Sequence, residues 1–277
     1  MKKSFSFLSQ TIYYEDTGKG EVLVLLHGFG EDSRIWQQQV AFLKDRYRLI
    51  IPDLPGSGLS QISDENWKMI DTIEAMATAV TALIKTISAD PLIILGHSMG
   101  GYILLAMAEK TFVSKLPDAV PIKGWGLIHS TAFADTEEKK ASRSKAIIAI
   151  DKHGSMPFLE IAIPNLFGEA FKCEHPEQVA ALVEQGKSFH PKALISYYEA
   201  MIKRPDRTAV LKSSDKPVLF IIGEEDKAAP IEDVLQQVSL PNTSYVHVLK
   251  TGHMGMLEDA ENLHKHLDEF LQDVRKE

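Results

Sequence analysis

One junction constrains the fold more than any other part of the sequence. The apolar run Leu92-Ile93-Ile94-Leu95 breaks into Gly96-His97-Ser98-Met99-Gly100-Gly101 and resumes as the helix-compatible stretch Tyr102 to Lys110. A short run with no polar face reads as a strand buried on both sides, the environment of a parallel sheet. A serine between glycines at this spacing suits a sharp strand-to-helix turn, because residues without side chains allow close backbone packing around a strained central position. Ser98 then projects from the sheet edge at a helix N-terminus, where the dipole and free amides favour negative charge.

The same alternation recurs along the chain. Phe5 to Leu8 and Thr11 to Tyr14 read as leading antiparallel strands, closed by turn chemistry from Asp16 to Gly20. Buried-strand runs follow at Val22 to Leu26, Tyr47 to Ile51, Leu92 to Leu95, Trp125 to Ile128, Val218 to Ile222 and Tyr245 to Leu249. Helical stripes separate them, as in Ile73, Met76, Val80, Leu83, Ile84 and Ile87, and Asn262 to Val274 reads as a last amphipathic helix. Strands alternating with helices predict a parallel sheet with right-handed crossovers. Residues 135–210 break the pattern, with helical stretches, repeated prolines and no strand, and are expected to sit over the sheet as an insertion.

A serine hydroxyl needs a general base, itself held in one tautomer by a buried carboxylate. In a parallel sheet such groups belong at the carboxyl ends of strands. Asp226 follows Val218 to Ile222 through Gly223-Glu224-Glu225, and His253 follows Tyr245 to Leu249 through Lys250-Thr251-Gly252. The order is serine, acid, histidine, with Glu224 or Glu225 as alternative carboxylates. An oxyanion needs preorganised donors; the Met99 amide follows the nucleophile, and the loop His27-Gly28-Phe29-Gly30 offers the Phe29 amide.

With Gly96 to Gly101, His27-Gly28-Phe29-Gly30, Asp53 to Ser60, Gly223-Glu224-Glu225-Asp226 and Thr251-Gly252-His253 in this order, the chain resembles the α/β-hydrolase superfamily. The resemblance implies an α/β fold with a mostly parallel eight-stranded sheet flanked by helices. It also implies a helical cap after the sixth strand, dividing the chain into a core of residues 1–134 and 211–277 and a cap of residues 135–210. Ser98 stands where haloalkane dehalogenases and epoxide hydrolases carry an aspartate, which disfavours those activities. Tyr102 follows the paired glycines where menaquinone-pathway lyases often have arginine.

The expected activity is hydrolysis of a small carboxylic ester or lactone through an acyl-enzyme on Ser98. Carbon–carbon bond hydrolysis or a lyase reaction on the same triad is the alternative, and a low-turnover ligand-binding protein a third reading. Lys plus Arg is 30 and Asp plus Glu 38, a net charge of −8 without a basic run, which argues against nucleic acid as a partner. The lone Cys173 has no disulfide partner, no apolar run approaches a membrane span, and the N-terminus lacks a signal-peptide core, so a cytoplasmic location is expected. No metal or organic cofactor is implied by the remaining histidines and acids. The insertion is rich in apolar and aromatic residues, among them Phe158, Leu166, Tyr198 and Met201, which predicts an uncharged, moderately apolar acyl group. Arg143, Lys145 and Lys152 offer instead a means of recognising a carboxylate.

Overall fold

The apolar runs pair as eight strands of one sheet in a computed structural model that describes residues 1–62 and 66–276. They are β1 Lys2–Phe7, β2 Gln10–Gly18, β3 Glu21–Leu26, β4 Tyr47–Pro52, β5 Leu92–His97, β6 Ile122–Ile128, β7 Val218–Gly223 and β8 Ser244–Leu249, in the spatial order β1-β2-β4-β3-β5-β6-β7-β8. β1 and β2 pair antiparallel, β2 joins β4 antiparallel, and every later pairing is parallel. Burial explains the continuous apolar runs: Leu23 to Leu26, Leu92 to Leu95 and Val218 to Phe220 are fully buried. Each aliphatic side chain of this kind stabilises the fold by about 1.5–3 kcal/mol.

Helices α1 Gln37–Leu43, α2 Ile73–Ile87 and α3 Met99–Ala108 connect the early strands; α2 packs against α3. Between β6 and β7 the chain forms α4 Glu137–His153, α5 Ser155–Ala162, α6 Glu169–Glu174, α7 Pro176–Gln185, α8 Pro191–Lys203 and α9 Thr208–Ser213. α10 Ile231–Leu235, α11 Gly255–Glu258 and α12 Ala260–Val274 complete the chain, with α12 packed on α1 and β8.

One strand boundary differs from expectation. β2 runs to Gly18, through residues read as a turn, because Asp16, Thr17 and Gly18 pair with Ile50, Leu49 and Arg48 of β4. The polar Asp16 is tolerated there because Arg48 and Lys3 bind its carboxylate. The expected edge of the insertion at residue 210 falls inside α9, where Val210 and Leu211 are buried. Among the described residues no helix is long and apolar enough to cross a membrane.

Candidate active site

Ser98 sits where β5 turns into α3, with φ 49° and ψ −117°. Such a conformation costs a non-glycine residue about 1–3 kcal/mol and persists only where its surroundings enforce it. They do so by hydrogen bonds: the Ser98 amide donates to Ile128 O (3.0 Å), and its carbonyl accepts from Gly101 N (2.9 Å) and Ser130 Oγ (2.8 Å). The flanking glycines act by closeness. A Cβ on Gly100 would stand 2.5 Å from the backbone oxygen of Leu26 at the end of β3, and one on Gly28 would stand 3.0 Å from Ser98 Cβ. The loop carrying Phe29 therefore lies directly against the turn. Ser98 is partly exposed while its neighbours on both sides are buried.

Asp226 follows β7 and is buried; Glu224 and Glu225 are exposed. Its Oδ1 accepts the amides of Ala228 (2.8 Å) and Ala229 (2.9 Å), and its Oδ2 accepts from His253 Nδ1 at 2.8 Å. Among the three candidate carboxylates, Asp226 is the partner of His253. Burial works against the Asp226 charge, but the His253 and His129 rings outweigh it and hold the carboxyl far below its usual range. Burial likewise disfavours the His253 imidazolium, yet the Asp226 carboxylate more than compensates and raises the ring above its ordinary value.

Phe29, Ser98 and His253 line one cavity of about 290 Å³. The Ser98 hydroxyl and the His253 ring share it without a hydrogen bond to each other, a spacing common in unliganded sites that tighten around substrate. Met99 is buried at the first position of α3, where backbone amides lack intrahelical partners. Phe158, Leu166, Tyr198 and Met201 form an apolar wall, and Phe29 stacks on Tyr198 with ring centroids 4.3 Å apart. Of the three basic residues noted in the insertion, Arg143 lines the cavity, whereas Lys145 and Lys152 are exposed outside it. Lys139 and Lys227 also line it.

Three further residues escaped the sequence reading. His129, after β6, donates from Nδ1 to Asp226 Oδ2 at 3.3 Å, so two imidazoles share one carboxylate oxygen. Burial, only partly offset by Asp226, pushes the His129 ring down to about 4, so it is neutral at neutral pH. Glu31 accepts from Gly28 N (2.9 Å) and contacts His97 Nδ1 (3.0 Å), while His97 Nε2 contacts His253 O (2.9 Å). This clamp joins the Phe29 loop, the Ser98 turn and the His253 loop.

Among the described residues, ligand-type atoms converge in two places. In the cluster His129, Asp226 and His253 they are engaged with one another by the bonds above. In His247, His266 and Glu269 the two rings stack face to face at 3.8 Å, so their in-plane lone pairs run side by side rather than toward one ion.

The family model described as "Alpha/beta hydrolase family" matches residues 23–265. The chain belongs to the alpha/beta hydrolase family. Similar to this alpha/beta hydrolase is the pimeloyl-[acyl-carrier protein] methyl ester esterase of Legionella pneumophila, 26% identical over 94% of this chain and 99% of the relative. The magnesium-chelatase 30 kDa subunit of Rhodobacter capsulatus is 29% identical over 78% of this chain and 75% of the relative. Among solved structures, a thermophilic esterase from Thermogutta terrifontis, with malate bound, superposes with a TM-score of 0.88 at 28% identity, covering 99% of both chains.

Proposed function

We propose that this hydrolase is a serine esterase acting on small carboxylic esters or lactones. The carrying observation is the 2.8 Å bond between Asp226 and His253 beside a cavity that both His253 and the strained Ser98 line. With Nδ1 held by Asp226, His253 has Nε2 left to take the Ser98 proton as Oγ attacks the ester carbonyl carbon. The carbonyl electrons move to oxygen, and the Phe29 and Met99 amides stabilise the oxyanion. His253 then returns the proton to the departing alcohol, leaving an acyl-serine that water cleaves by the same sequence. Residues 135–210 act in this reading as the cap that selects substrate, because they supply most of the cavity's apolar wall. Relatives named as esterases support the reaction class.

The test is turnover of 4-nitrophenyl acetate and butyrate with mass-spectrometric trapping of the acyl group. An adduct on Ser98 in the wild type, absent in Ser98→Ala, is expected. Turnover of a β-diketone with no ester turnover would instead favour carbon–carbon hydrolysis.

A further inference from the structure

The cavity is charged unevenly. Its lining holds three cationic side chains, Lys139, Arg143 and Lys227, against one carboxylate, Glu31, which is taken up by the Gly28 amide and the His97 ring. Arg143 is the best-placed cation. Its Nε and Nη2 donate to Asp135 at 2.7 and 3.4 Å, and among the described residues Nη1 has no partner. Asp135 does not neutralise it alone, because the same carboxylate also pairs with Arg204 Nη1 at 2.9 Å. Two guanidiniums on one carboxylate leave an excess positive charge. The pairing also fixes the Arg143 fork, and its guanidinium carbon lies 5.4 Å from the Tyr198 ring centroid, over the apolar wall. A rigid guanidinium with a free N–H edge is suited to binding an oxyanion. The lysines add to the field less specifically: Lys139 Nζ lies 3.8 Å from Asp233, and Lys227 is largely exposed.

We infer that the substrate carries a carboxylate remote from its scissile ester, held by Arg143 with help from Lys139, while its apolar body lies against Phe158, Leu166 and Tyr198. The inference rests on the esterase reading and narrows its substrate class to half-esters and esters of acidic molecules. A purely neutral acyl chain uses the apolar wall alone.

The test compares mono-4-nitrophenyl glutarate with its methyl-capped counterpart, and the acetyl ester of 4-hydroxybutyrate with that of its methyl ester, placing the carboxylate on the acyl or the alcohol side. In one of the two pairs the carboxylate member should have a kcat/KM higher by about tenfold or more, the scale of one charge-assisted hydrogen bond. Arg143→Gln should remove most of that preference, read as the ratio of kcat/KM within the pair, with the loss falling on KM as expected for uniform binding; Arg143→Lys should keep part of it. Equal rates within both pairs, or an Arg143→Gln variant that slows charged and capped esters alike, would overturn the inference. Labelling of Ser98 by a fluorophosphonate reads the esterase proposal separately. Should no ester turn over, calorimetric titration with glutarate still decides the anion site: binding lost in Arg143→Gln supports it, and binding absent or unchanged in the variant refutes it.

Discussion

At the scale of single residues, the candidate triad makes two sharp predictions. Ser98→Ala should lose at least about 10³-fold in turnover, because it removes only the proposed nucleophile. In the wild type, kcat/KM should rise with pH through one ionisation whose midpoint lies above 6.5, since His253, as the proposed base, must be neutral and Asp226 raises its affinity for a proton. A midpoint below that value would mean another group limits the rate. His129 supplies the third. By donating to the same oxygen that holds His253, it draws carboxylate charge away from the His253 ring. His129→Leu should therefore shift the rising limb to higher pH, and a variant with an unmoved limb would show that His129 only fills space.

The Asp226–His253 pair was legible because both residues follow apolar strands through short loops, and strand ends in a parallel sheet converge. Glu31, His97 and His129 were not. Their roles depend on burial and on partners 66, 156 and 97 residues away, and no local pattern encodes such pairings.

Elements were legible where one principle governs them. The parallel strands of the sheet centre have no polar face, so their sequences announce them. β2 was cut short because Asp-Thr-Gly is turn chemistry in isolation, and only pairing with β4 and the Arg48 and Lys3 contacts make it strand. The junction of β5 and α3 carries its own prediction. Gly100→Ala places a methyl against backbone atoms of Leu26 and His27, which no rotamer change relieves. Overpacking of this kind should cost about 1–3 kcal/mol or more and disturb the Ser98 turn. Gly154→Ala is the control: nothing lies within 4 Å of its Cβ, and only the strain of φ +84° remains. Thermal unfolding with ester turnover should show Gly154→Ala destabilised but active, and Gly100→Ala impaired in both; an active, fully stable Gly100→Ala would mean the β3–α3 packing is looser than drawn.

For the molecule as a whole, Asp135 ties together the two ends of the insertion. Its carboxylate binds Arg143 of α4 and Arg204 just after α8, and the Arg204 side chain is itself buried and donates to Phe133 O at 3.1 Å. Arg207 N reaches Ala132 O at 2.8 Å close by, so the segments entering and leaving the insertion are knitted together. Burial would raise the Asp135 carboxyl, but the bond and charge of Arg143 together with Arg204 hold it below its ordinary 3.8. A carboxyl depressed in the folded state contributes stability that is fully present above its unfolded value and fades as pH falls through the folded one. Asp135→Asn leaves two guanidiniums without a counter-charge and should destabilise the protein near pH 7 by about 3–5 kcal/mol. The penalty should begin to shrink as pH falls below about 4, the unfolded-state value, and should be lost as pH passes through the lower folded-state value, where the native carboxyl takes up its proton and comes to resemble the amide. Calorimetric melting of both proteins from neutral to acidic pH checks this: their midpoints should converge on acidification, and a constant gap would assign the destabilisation to lost packing instead of charge.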